Sequence, residues 1–144
     1  MKSKLLSEGA ERTFILVFAK GDEAFSQLTA FAEAECVSAA HFTGIGAFSD
    51  VTLGYFDRET KEYERIVLDE QVEVLTLAGD VALEEGRPKV HAHVVVGKRD
   101  GSAHGGHLLE AHVWPTLELV LSDSPARLGK RFDPETGLAL VSAE

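Results

Sequence analysis

Residues 89–107 read KVHAHVVVGKRDGSAHGGH, and the fold turns on this stretch because it spells a strand, a return and the start of a second strand. Alternate side chains of a strand share a face. Val90, Ala92, Val94 and Val96 form an apolar set that is expected to pack on a core, while His91, His93 and Val95 project from the opposite face. The polar segment RDGSAHGG turns the chain back, so residues from His107 onward are expected to run antiparallel beside the first strand.

Four of the six histidines lie in this stretch. With about 3.3 Å of rise per residue, His91 and His93 stand with Cβ atoms roughly 6–7 Å apart. Both rings can lean onto one ion at the roughly 2.0–2.1 Å of a zinc–nitrogen bond. If the two strands pair, His107 returns beside His93, and Gly105 and Gly106 permit the close approach that a β-carbon blocks. Three neutral imidazoles with an open fourth position suit zinc or another divalent transition metal whose remaining position takes water or substrate. His104 is expected to be exposed in the loop, and His41 and His112 to be structural. A His-x-His strand also suggests a cupin, but cupins follow the pair with a glutamate, and no carboxylate appears here before Asp100.

Outward from this hairpin, RTFILVFAK (12–20) reads as a strand. A helix is expected from Glu23 to Glu35, with Asp22 as N-cap and Phe25, Leu28, Phe31 and Ala32 at helical spacing. SAAHFTGIGAFSDVTLGYFD reads as two strands broken by glycines, with Gly44 and Gly46 at bulges or close-packing positions. YERIVLD and VEVLTLAGDVAL follow as strands. HLLEAHVW and TLELVLSD are expected as one short and one long strand, and the residues after Asp123 as a polar connection closing with a short apolar run. One early helix followed by many short strands gives an α+β fold, a mainly antiparallel sheet packed with one principal helix. The expectation is a single domain over 1–144, with 1–11 as a loose N-terminus.

Composition narrows the classes. The 144 residues carry 24 acidic and 14 basic side chains, a formal net charge of −10. A domain that binds duplex DNA through its own surface carries a basic stripe that displaces counterions from phosphates, and none is evident. The densest basic stretch, ARLGKRF with Arg127, Lys130 and Arg131, is flanked by Asp123 and Asp133 and reads as a solvated face or an interface. No apolar run reaches the roughly 20 residues of a membrane span. The N-terminus lacks the apolar core of a secretion signal, and a cytoplasmic protein is expected. The single cysteine, Cys36, excludes an intramolecular disulfide and is expected as a small buried thiol on the helix.

The segments FILVFAKGDEAFSQLTAFAEAECVSAAHFTGIGAFSDVTLGYFD and VEVLTLAGDVALEEGRPKVHAHVVVGKRDGSAHGGHLLEAHVWPTLELVL together resemble the plant and prokaryote conserved (PPC) domain across nearly the whole chain. The His-x-His strand followed by GGHL is the most specific element. The resemblance implies a largely antiparallel α/β domain that assembles into a homotrimer. It also implies a zinc-like metal held by His91, His93 and His107. Stand-alone prokaryotic members carry a predicted DNA-binding label, and plant members follow an AT-hook. There is no Arg-Gly-Arg AT-hook core here, and the plant Arg-Phe-Glu-Ile-Leu segment reads Gln71-Val72-Glu73-Val74-Leu75.

Three functions stay open on the sequence. One is a metal-binding domain with a small-molecule ligand at the ion, extending to a metal-dependent enzyme with Glu73 and Glu118 as pocket carboxylates. Another is a DNA-associated regulatory protein. The last is a trimeric interaction module with a purely structural metal.

Overall fold

A computed structural model describes residues 1–142. The elements in chain order are β1 (Lys2–Glu8), β2 (Arg12–Ala19), α1 (Ala24–Ala34), β3 (Ala39–Asp57), β4 (Glu62–Leu68), β5 (Val72–Glu84), β6 (Arg87–Gly97), β7 (Ala103–Asp123), β8 (Gly129–Asp133) and β9 (Leu138–Ser142). They form one mainly antiparallel sheet with a single helix, the expected class. The ladders β3–β5, β5–β6, β6–β7 and β7–β3 join into a closed circuit of antiparallel pairs. β1 and β2 extend the sheet from β7, β4 extends it from β3, and β8 joins β5 through a single parallel bridge at Leu83 and Gly129.

The long strands explain why the circuit closes. Residues 39–57, expected as two strands, are continuous, and the glycines bend the strand where they were expected to break it. The β3–β5 register shifts between Gly44 and Gly46. A Cβ on Gly46 would sit 2.3 Å from the Thr116 carbonyl oxygen, and its φ of 157° lies at the edge of the region open to glycine. HLLEAHVW and TLELVLSD are likewise one strand, β7. Pro115 has no N–H to give a ladder, and it falls in the irregularity between the Phe48–Val113 and Gly46–Leu117 pairs, where none is required.

The core follows strand alternation. Phe14, Leu16 and Phe18 of β2 face Leu117, Leu119 and Leu121 of β7, all buried, with Leu28, Phe31 and Ala32 of α1 packed over them. Phe14 and Phe31 meet edge to face at 5.2 Å between ring centroids.

Four local expectations change. Glu23, not Asp22, caps the helix, its carboxylate accepting from the backbone N–H groups of Phe25 and Ser26. Asp22 instead accepts from the Ala19 N–H and pairs with the N-terminal amine. Cys36 lies one residue beyond the helix cap with φ 55° and is exposed. The helix ends there in a Schellman motif, in which the Val37 N–H reaches the Ala32 carbonyl and the Cys36 N–H reaches Glu33. Residues 2–8, expected to be loose, pair with β2 as β1, and the expected polar connection after Asp123 contains the β8–β9 hairpin.

Candidate metal centre

β6 behaves as its alternation requires. Val90, Ala92, Val94 and Val96 are buried, and His91 and His93 leave the opposite face. The β6–β7 ladder places His107 directly across from His93, as the return predicted. Gly106 makes this possible, because a Cβ there would stand 2.8 Å from the Gly54 carbonyl oxygen of β3. The ring centroids of His91, His93 and His107 lie 5.0, 5.2 and 5.4 Å apart pairwise. One donor atom from each ring falls within 4.8 Å of the others, so the three side chains form a cluster able to hold a metal ion.

The electrostatics keep two of these rings neutral. Burial, followed by the nearby charges of His91, His93 and Lys130, lowers the His107 pKa to about 4. Burial and the neighbouring His91 also lower that of His93. A neutral imidazole offers the lone pair that a metal requires. His107 Nδ1 is buried and has no hydrogen-bond partner among the described residues. An orphaned buried nitrogen of this kind is costly unless something satisfies it, and an ion does so.

Asp80 and Tyr63, which the sequence reading did not single out, and Lys130, expected on a solvated face or an interface but found largely buried, complete the surroundings. Asp80 faces His91 in the β5–β6 ladder, with its Oδ2 3.2 Å from His91 Nδ1. A proton on Nδ1 donates to that carboxylate and leaves Nε2 as the ring's free donor. Tyr63 of β4 stacks on His107 at 4.7 Å between centroids. Lys130 of β8 directs its ammonium toward Asp80 Oδ1 at 4.0 Å, with only 6% of its side chain exposed. Asp80 is legible as a charge interrupting the apolar strand VLTLAGDVAL. Tyr63 and Lys130 arrive from elements whose position over the cluster leaves no local signature.

His91 and His107 open on a cavity of about 600 Å³, shared with Tyr63, Lys130, Leu138 and Leu140. The β8–β9 hairpin supplies one wall. His93 turns to the outer surface. Neither Glu73 nor Glu118 lines this cavity. Glu73 is exposed beside Gln71 and Lys98, and Glu118 is exposed beside Ile45 and Val120. His112 is held by Asp50, whose Oδ1 lies 2.7 Å from its Nδ1, in the structural role expected. His41 is exposed on β3. His104, expected exposed, is half-buried in β7 opposite Val96.

A closed antiparallel circuit carrying three convergent histidines on its outer side defines a β-rich domain with a candidate metal centre. The chain belongs to the Plants and Prokaryotes Conserved (PCC) domain family, whose model matches residues 6–125. A plant- and prokaryote-conserved protein of Pyrococcus horikoshii is 34% identical, with 92% of each chain covered and a TM-score of 0.86. A metal-containing protein of Archaeoglobus fulgidus is also 34% identical, covering 96% of this chain and 95% of its own, with a TM-score of 0.83. A Bacteroides thetaiotaomicron structure bearing the name "putative DNA binding protein" is 28% identical over 97% of this chain and 96% of its own, at a TM-score of 0.88. The bifunctional protein GlmU of Synechococcus sp. (strain JA-3-3Ab) is 31% identical over 135 residues, 92% of this chain. The chain spans about a fifth of the length of that curated relative, 20%. Among the described residues no helix is long and apolar enough to cross a membrane.

Proposed function

We propose that this chain is a metal-binding domain in which His91, His93 and His107 hold a zinc ion, with a further position open to the cavity for a small-molecule ligand. The observation that carries the reading is the convergence of three imidazole donors within 4.8 Å. The residues fit the ion. His93 and His107 are kept neutral by burial, the orphaned Nδ1 of His107 calls for a partner, and an all-imidazole donor set suits zinc and its transition-metal neighbours, not calcium or magnesium. The metal-containing relative from Archaeoglobus fulgidus points the same way.

When bound, such an ion supplies a Lewis acid that polarises a carbonyl oxygen. The chain's own residues set the rest. Asp80 fixes the orientation of His91, Tyr63 braces the His107 ring, and the β8–β9 hairpin keeps bulk water off one side of the cavity. Protein purified without chelator is expected to carry about one ion per chain. The double variant His91→Ala, His93→Ala is expected to carry none, and full occupancy in that variant contradicts the ligand assignment.

We also propose that the domain assembles as a homotrimer. Val17 and Ile45 both stand opposite Glu118 in adjacent ladders, and with Val120 they leave an exposed apolar strip on the outer side of the sheet. Exposed apolar surface of this kind marks interfaces. The free and exposed Cys36 fits the reducing cytoplasm.

A second reading, DNA association, draws on the name of the Bacteroides thetaiotaomicron structure. The net charge of −10 weighs against phosphate contacts by this chain alone. A mobility shift that survives about 150 mM salt would favour that reading over ours.

A further inference from the structure

Lys130 is unusual for a lysine, because only 6% of its side chain is exposed. Its stem is packed away while the ammonium opens on the cavity, where its three donors look for partners. Its one ion-pair partner among the described residues, Asp80 Oδ1, stands 4.0 Å away, beyond hydrogen-bond reach, and that oxygen has no other partner. Asp80 is also engaged through Oδ2 with His91. The ammonium therefore reaches the cavity floor beside the histidine cluster with its donors unspent.

From this juxtaposition we infer that the cavity takes a small monocarboxylate with an apolar body, its carboxylate bound by Lys130 beside the ion. The inference rests on the reading of His91, His93 and His107 as ion ligands, and four points give it its chemistry. With a divalent ion present, Asp80 cannot balance both the ion and Lys130, so the floor carries net positive charge and selects an anion. Lys89 and Glu84, at the same cavity, pair with each other at 3.6 Å and cancel. One free ammonium suits a carboxylate, whereas a phosphate dianion calls for several cationic donors. The wall beside Lys130 is apolar, formed by Leu138, Ala139, Leu140 and Val141 of β9, and the space of about 600 Å³ accepts an aliphatic body of several carbons.

The test uses the full chain loaded with zinc and hexanoate as the probe, with 1-hexanol and inorganic phosphate as controls. Hexanoate is expected to bind at least roughly tenfold more tightly than 1-hexanol, which lacks the charge for a charge-assisted hydrogen bond. Lys130→Met preserves the packed stem; it is expected to lose hexanoate affinity by about tenfold while keeping its zinc, and Lys130→Arg to recover most of it. Equal hexanoate affinity in Lys130→Met and the parent, or tighter binding of phosphate than of hexanoate, overturns the inference. A measurement that needs no variant is the side-chain nitrogen resonance of Lys130. Hexanoate and not 1-hexanol is expected to move it, and no movement overturns the inference even if Lys130→Met fails to fold. Failure of the metal reading looks different: the parent chain then takes up no zinc at all. Without the ion Asp80 alone balances Lys130, the positive charge that selects the carboxylate is absent, and the inference falls with the reading it rests on.

Discussion

Position 80 shows how one side chain can serve two neighbours. Asp80 orients His91 with one oxygen and faces Lys130 with the other. Outer carboxylates of this kind tune metal affinity, so Asp80→Asn is expected to weaken zinc binding by about tenfold without unfolding the chain, measured by competition with a chelating dye. Unchanged affinity would show that His91 is oriented by the strand alone. His112 offers a pH test at a distance from the cluster. The hydrogen bond to Asp50 raises its pKa above 6.5, and the same bond, against an opposing burial effect, lowers that of Asp50. A raised histidine pKa stabilises the fold fully below the unfolded value of 6.5 and loses that contribution as pH rises through the folded value. The lowered Asp50 pKa gives stability above 3.8 that is lost as pH falls. The pair therefore works between these limits. In an NMR titration His112 should show a midpoint above 6.5 that returns toward 6.5 in Asp50→Asn. A midpoint that stays put would remove Asp50 as the cause.

At the scale of elements, β2 ties the sheet to the helix end through one side chain. The Arg12 guanidinium donates to Asp123 Oδ2 from Nε at 3.0 Å and again from Nη2, and reaches the Glu35 carbonyl at 3.0 Å. Asp123 is only 8% exposed at its side chain, so Arg12→Ala strands a buried carboxylate. The expected loss is about 2 kcal/mol in urea unfolding, below the usual cost of breaking a buried pair because Arg12 keeps contact with water. A loss under about 0.5 kcal/mol would mean that solvent already satisfies Asp123. The same scale shows what local pattern can and cannot carry. Alternation in β6 announced both its buried face and its histidine face, and the glycine-rich return announced the pairing of His93 with His107. The division of β3 and β7 into shorter strands failed because glycine and proline punctuate most sheets, whereas here they occupy bulges that bend a continuous strand. β8 and β9 were unreadable for a different reason. Their register comes from each other and from one bridge to β5, and residues 138–142 show no strict two-residue alternation of exposure. Lys130 was lost with that topology, and Tyr63 because nothing local to β4 marks its stacking on His107, while the three histidines were found because two lie on one strand and the third directly across a hairpin.

At the scale of the whole molecule, two surfaces define its behaviour. The strip of Val17, Ile45 and Val120 surrounds Glu118, and burying that carboxylate between copies requires a partner for it. Ile45→Lys is expected to convert a trimer to monomers in sedimentation equilibrium, and a monomeric parent chain would remove the assembly altogether. The other surface is the cavity between the closed circuit and the β8–β9 hairpin, where the three imidazoles, Asp80 and Lys130 meet. Its meaning depends on the ion. The most direct measurement is X-ray diffraction from zinc-loaded crystals with anomalous data collected at the zinc edge. We predict one strong anomalous peak per chain among His91, His93 and His107, with a position facing the cavity free of protein ligands. No peak at the three histidines, or an ion closed off by a fourth protein ligand, would contradict the open metal centre on which this function rests.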